Sequence, residues 1–234
     1  SGKFNLYKKD TSFINVQPHL GLLFSMRGTD YLKAFYEMRS SALLSTRGLS
    51  HITTLPDFAD VSNSLYGLEV HLNRLDYRYN PRKGYQILTR LSAGRKRIKK
   101  NANVNPAVYQ GLKLNTNQLS ALLEADLFVP LFKRATFRTG LLGSWMQGQT
   151  LFENELPRIG GLNSLRGFNE ESIFASSYAI VNLEYRYLFE ENAYLFGFVN
   201  GAWYENRAVN RNLSDLPYGF GAGISFETKA GIFS

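Results

Sequence analysis

Apolar and polar residues alternate through most of this chain, and a two-residue period limits it to extended strands with two unlike faces. In residues 14–24, Ile14, Val16, Leu20, Leu22 and Phe24 oppose Asn15, Gln17 and His19. In residues 31–39, Leu32, Ala34, Tyr36 and Met38 oppose Lys33, Glu37 and Arg39. The pattern returns at 66–73, 85–93, 123–129, 134–145, 181–187 and 218–227. The second face carries full charges in mid-segment: Lys33, Glu37, Glu69, Arg90, Glu124, Asp126, Arg138, Glu184 and Arg186. A soluble sandwich also alternates, with its polar face in water. Here, however, the segments run about 10 to 13 residues, where strands of soluble proteins average ~5–6. The apolar faces end in rings, and aromatic residues make up 14% of the chain. Long strands with an apolar outer band and a charged interior are the pattern of a transmembrane barrel.

The connections agree. Short links are expected at 9–12, 27–30, 130–133 and 190–192, and a moderate turn at 76–84. Long ones are expected at 44–64, 98–117, 147–177 and 205–217. Beyond the opening strand near residues 3–8, short and long alternate, as they do where tight periplasmic turns face extended outer loops. The reading is all-β, with ten strands and the start of an eleventh in one domain, residues 1–234. An open edge of this length calls for pairing. The expectation is therefore a fragment of a larger antiparallel barrel, lacking its first strands and its last.

Several chemistries find no support. The chain has no cysteine, and His19, His51 and His71 make no metal-ligand spacing. No run approaches the ~20 apolar residues of a transmembrane helix. Glu124 with Asp126, and Glu153 with Glu155, are carboxylate pairs on strand-like spacing. No Ser or His constellation accompanies them, so they read as solvated charge and not as acid–base catalysts. No active site, cofactor or metal is expected. The net charge of +8 is densest at Arg95-Lys96-Arg97-Ile98-Lys99-Lys100. Without a recognition helix, this cluster reads as a basic loop base facing a charged surface such as lipopolysaccharide, and nucleic acid is not expected.

The longest non-periodic segment, 147–177, holds Gly160-Gly161-Leu162-Asn163-Ser164-Leu165-Arg166-Gly167-Phe168. Three glycines this close let backbone approach backbone or adopt positive φ. Between them Arg166 offers a planar, permanently charged fork to an acceptor.

These residues resemble the sixth-loop signature of the BamA/TamA superfamily of outer-membrane assembly factors and transporters, and residues 160–176 are especially similar to its Bacteroidetes branch. Three further matches follow the family's order. Leu75-Asp76-Tyr77-Arg78-Tyr79-Asn80-Pro81-Arg82-Lys83-Gly84-Tyr85 resembles its strand-turn motif, with Asp76, Asn80, Pro81, Arg82 and Gly84 in the motif positions. Phe198-Val199-Asn200-Gly201 is similar to F-x-D-x-G, and 219–228 to its G-x-G-x-G strand. The resemblance implies a sixteen-stranded outer-membrane barrel whose signature loop (Gly160, Gly161, Ser164, Leu165, Arg166, Gly167, Phe168) dips into the lumen. It further implies that Arg166 bonds an inner acidic residue. Asn200 stands at that acidic position, so Glu184, inward by parity on the preceding strand, is the expected replacement. Gly219, Gly221 and Gly223 also face inward and are expected to leave the loop room against the wall. The implied function is non-enzymatic insertion of β-barrel proteins into the bacterial outer membrane. The implied partners are unfolded clients, outer-membrane lipid and lipopolysaccharide, and periplasmic or lipoprotein accessory subunits. A two-partner-secretion pore and the barrel anchor of a patatin-like lipase are the alternatives; a soluble β-sandwich binding module is a third.

Overall fold

A computed structural model describes residues 2–7, 13–44, 51–78, 80–190, 193–228 and 231–233. The expected link at 9–12, residues 191 and 192 of the expected link at 190–192, and Tyr79 of the turn motif lie outside the described residues. The strands are β1 (Gly2–Tyr7), β2 (Phe13–Ser25), β3 (Tyr31–Leu43), β4 (Asp60–Asn73), β5 (Gly84–Lys99), β6 (Asn115–Phe132), β7 (Ala135–Gly148), β8 (Arg158–Ile159), β9 (Ile173–Phe174), β10 (Ser177–Glu190), β11 (Ala193–Asn206), β12 (Leu213–Asp215), β13 (Tyr218–Thr228) and β14 (Gly231–Phe233). One antiparallel sheet follows chain order from β1 to β7, continues through β10, β11 and β13, and ends at β14. The short β12 pairs with the end of β11, and β8 with β9 form a separate ribbon. The path holds ten strands and a three-residue eleventh, as the alternation implies. Among the described residues the sheet does not close on itself.

Register places every second residue of neighbouring strands on one face. Leu32, Val70, Thr89 and Leu123 lie side by side across β3 to β6. That face is apolar and open: Leu20 is 77% exposed and Phe220 78%. The opposite face is polar and covered, with Glu37 and Glu184 each 3% exposed. This is a globular protein turned inside out, which is stable only where the outer surface meets hydrocarbon. Among the described residues no helix is long and apolar enough to cross a membrane; the strands cross.

The strands outrun their alternating cores. β6 has 18 residues and β5 has 16, where ~9–11 suffice to cross a bilayer. The turn expected at 130–133 is displaced: Pro130, Leu131 and Phe132 belong to β6, and the chain reverses at Lys133 and Arg134. A register shift between Pro130 and Phe132 explains why proline fits there, since a bulge does not need its missing N–H. The long connections are also shorter than expected, those at 98–117 and 147–177 at both ends and those at 44–64 and 205–217 at one end. They carry structure of their own, including the β8–β9 ribbon inside the glycine-rich segment.

At the end opposite the short turns, the long connections pack into a roof. Val61 and Ile98, inward residues near the strand ends, join Ala59, Val104, Val108, Tyr109 and Phe152 in one buried cluster. Asn154, 1% exposed, ties the roof to the wall. Its amide donates to Ser41 Oγ (2.7 Å) and Ala59 O (2.7 Å), its side-chain oxygen accepts from Ala59 N (3.2 Å), and its carbonyl accepts from Asn15 Nδ2 (3.2 Å). Arg158 of β8 lies over the rings of Phe13 on β2 (5.1 Å) and Phe174 on β9 (4.4 Å). The segment that leaves β7 therefore crosses the mouth and reaches β2.

Candidate functional site: the loop inside the wall

The glycine-rich segment folds only because glycine is where it is. Gly160, Gly161 and Gly167 have φ of +117°, +93° and +95°, a region that costs an L side chain of order 1–3 kcal/mol. A Cβ on Gly161 would also lie 1.6 Å from the Glu170 carboxylate. The turn is knotted locally. Ser164 Oγ accepts from Gly160 N (2.9 Å) and donates to Gly160 O (3.0 Å), while Gly161 N donates to Leu165 O and Phe168 O.

The knot presents two adjacent side chains to the inner wall. Leu165, fully buried, enters a pocket of Ile159, Ala175, Tyr178, Ile180, Ala202 and Tyr204, with Phe168 packed against it. Arg166 points further down the lumen. Its Nη1 donates to Glu184 Oε2 at 2.7 Å, and its guanidinium lies 4.6 Å from the centre of the Phe198 ring and 5.5 Å from Phe196. Asn200 plays a different part from the one implied by the family pattern. Its amide donates to the Arg166 carbonyl (3.2 Å), holding the backbone, while Glu184 takes the charge.

The inward glycines divide their work. Gly219 faces the loop: a Cβ there would come 2.4 Å from Arg166 O. Gly221 and Gly223 do not touch the loop. They lie beneath the Phe198 and Phe196 rings, which a Cβ would meet at 2.9 and 2.6 Å. The expectation that all three make room for the loop is corrected to one direct contact and two seats for the rings that carry Arg166.

Glu184 also receives Arg186 Nε at 2.6 Å, and Arg138 approaches to 3.8 Å while bonding Asp126 at 2.8 Å. Three guanidiniums thus share two carboxylates, and the surplus charge rests on aromatic faces. Arg186 sits 4.7 Å from the Tyr194 ring and 5.1 Å from Phe128. Arg186 then reaches Asn80 Oδ1 at 3.5 Å. The turn motif therefore meets the signature loop through one chain of contacts, Asn80–Arg186–Glu184–Arg166. The sequence pattern points to Asn80, Glu184 and Arg166 and puts Arg138 and Arg186 on the inner face without joining them to the loop, and it leaves the rings unassigned. The inward parity of Phe128, Phe196 and Phe198 was the available signal.

The turn motif is a self-bonded reversal. Asp76 Oδ1 accepts from Arg82 N (3.0 Å) and Lys83 N (3.1 Å), and Arg82 donates to the Lys133 carbonyl of the next turn. Gly84 has φ +110°, with Arg74 O only 1.9 Å from where a Cβ would stand. Asn80 and Pro81 are tucked in and buried. In the neighbouring turn Asp30 bonds Arg74 Nη1 at 2.6 Å, and that hydrogen bond, with one from Asn73 N, holds its carboxyl below the usual range. Among the described residues no group of His, Asp or Glu could hold a metal.

A family description, Omp85 superfamily domain, matches residues 22–233. A solved structure, CdiB from Acinetobacter baumannii, superposes with a TM-score of 0.53 at 17% identity. The match covers 94% of this chain and 37% of that one, so the chain spans little more than a third of that protein's length, and the likeness is one of fold. No curated protein matches.

Proposed function

This chain belongs to the Omp85 superfamily, a family of outer-membrane β-barrels, and from that premise we propose that it is part of a barrel that folds and inserts other β-barrel proteins into the outer membrane. The action needs no cofactor and no bond chemistry. Clients are unfolded outer-membrane proteins, taken up by strand pairing with main-chain hydrogen bonds. The observation that carries the reading is Arg166 clamped between Glu184 and the Phe196 and Phe198 rings. The loop so held bridges β10, β11 and β13 on their inner face. A wall that must yield at one seam needs its neighbouring strands kept in register, and this contact staples them together.

The test is reconstitution of the full-length protein in vesicles, followed by appearance of a heat-resistant, protease-protected client barrel. Wild type is expected to accelerate client folding, and Arg166→Ala to lose most of that acceleration. Export of a soluble partner without client folding would replace this reading with a secretion pore; lipid hydrolysis would replace it with a lipase anchor.

A further inference from the structure

Arg95, Arg97 and Lys99 alternate with Gly94, Lys96 and Ile98 at the loop end of β5, and the two sets have opposite fates. Lys96 points in and is fully buried; its ammonium bonds Thr150 O at 2.5 Å and the Glu155 carboxylate. Arg95, Arg97 and Lys99 point out and are exposed. Neither arginine has a hydrogen-bond or ion-pair partner among the described residues. On the same face below them stand Tyr85, Ile87, Thr89, Leu91 and Ala93, about the nine to eleven residues that cross a bilayer. Arg95 is the next outward residue, so it stands where hydrocarbon gives way to headgroups.

The neighbouring strands change character on the same line. Tyr66, Ala93 and Leu119 form one outward row across β4, β5 and β6. The next row is Ser64, Arg95 and Asn117; the one above is Ser62, Arg97 and Asn115. Two arginines whose Cα atoms stand about 7 Å apart along one strand are therefore flanked on both sides by hydroxyl and amide side chains. A groove of about 590 Å³ joins the levels, lined by Tyr66, Ala93 and Leu119 below and Arg95, Ser64 and Asn117 above. Lys99 lies opposite Asp60, whose carboxylate is held by Leu43 N and Asn101 Nδ2 at 2.7 Å each. The buried Lys96 anchors the backbone that presents both arginines.

We propose that this outer-wall site binds the phosphorylated headgroup of an outer-leaflet glycolipid of the lipid A type, its phosphate on Arg95 and Arg97 and an acyl chain in the groove. The long loops mark this end as the outer one, and there the abundant anion is a phosphate on an acylated sugar. Arginine binds phosphate through its planar fork, and an acyl chain answers the apolar lower row. An acidic protein segment would match the charge but not the groove, which opens toward hydrocarbon. The inference is independent of the insertase reading.

The experiment is native mass spectrometry of the full-length protein titrated with bisphosphorylated lipid A, dephosphorylated lipid A and phosphatidylglycerol. Wild type is expected to retain bisphosphorylated lipid A preferentially. R95Q/R97Q is expected to weaken that binding about tenfold to thirtyfold, at the usual worth of an interfacial cation, and R95K/R97K to recover part of it. Arg207→Gln on the same rim, where Arg207 already pairs with Glu205, is expected to leave it unchanged. Each variant is first checked for the heat-modified mobility of a folded barrel; should R95Q/R97Q misfold, Arg97→Gln alone is read the same way. Equal retention by wild type and R95Q/R97Q would overturn the site. Equal retention of phosphatidylglycerol, or binding of a polyglutamate peptide in place of lipid, would overturn the occupant.

Discussion

Arg166 and Glu184 form the contact on which the loop depends, and each residue is expensive to remove for a different reason. Glu184 is nearly inaccessible and accepts from two guanidiniums. Glu184→Ala leaves both without their acceptor, and a loss of about 3–5 kcal/mol in the unfolding stability of the full-length barrel is expected. Arg166→Lys should behave closer to Arg166→Ala than to wild type, because an ammonium cannot both bond Glu184 and lie flat on Phe198; thermal unfolding of the three proteins checks the order. In the turn motif, Gly84→Ala meets the Arg74 carbonyl at positive φ and should cost about 1–3 kcal/mol. Asp30 gives a pH dependence. Its carboxyl is held low in the folded state by Arg74, so its contribution is full above the ordinary carboxylate value. That contribution is lost as pH falls through the depressed one. Amide exchange at Asn73, whose N–H the carboxylate accepts, should rise in that acid window and should not do so in Asp30→Asn. At this scale the sequence was readable where a motif named a residue. It was opaque where a contact depended on which strands become neighbours: nothing local in Arg186 announces Asn80, more than a hundred residues away.

The elements were legible because their period is a property of the strand itself. Alternation places Leu123 outside and Glu124 inside whatever β6 pairs with, and it limits the register with β5 to steps of two residues, of which the fold takes the one that sets Thr89 opposite Leu123. The ends were less legible. Near the roof, inward residues become apolar, as at Val61, Leu65 and Ile98, so the contrast between faces fades while the strand continues. Roof packing was invisible for the same reason as Asn80: Phe152, Val108 and Ala59 come from three separate connections. The roof supplies a prediction of its own. Asn154→Ala leaves Ala59 N–H and C=O without partners in a buried place, at about 1–3 kcal/mol each, and leaves Ser41 Oγ only its 3.5 Å bond to the carbonyl of residue 154. Limited proteolysis of intact cells is expected to cleave within residues 149–157 in the variant and to spare wild type. Equal protection would mean that the apolar cluster alone holds the roof.

The whole molecule is a curved wall with an apolar outside, a charged inside, a roof over one mouth and a loop braced against its inner face. Its outer apolar surface would be a liability in water and is an asset only in a bilayer. Within the wall, the loop ties β10, β11 and β13 together on their inner face, and the roof ties down β2 through Asn15 and Phe13. On the proposed insertase reading, the loop keeps its three strands in register while a client strand pairs. The most direct measurement is a double-mutant cycle on client folding by the reconstituted full-length protein, comparing wild type, Arg166→Ala, Glu184→Ala and the pair. The account predicts that each single change slows client folding and that the double is scarcely worse than either, because both remove one brace. Wild-type rates in the single variants, or losses that simply add, would contradict it.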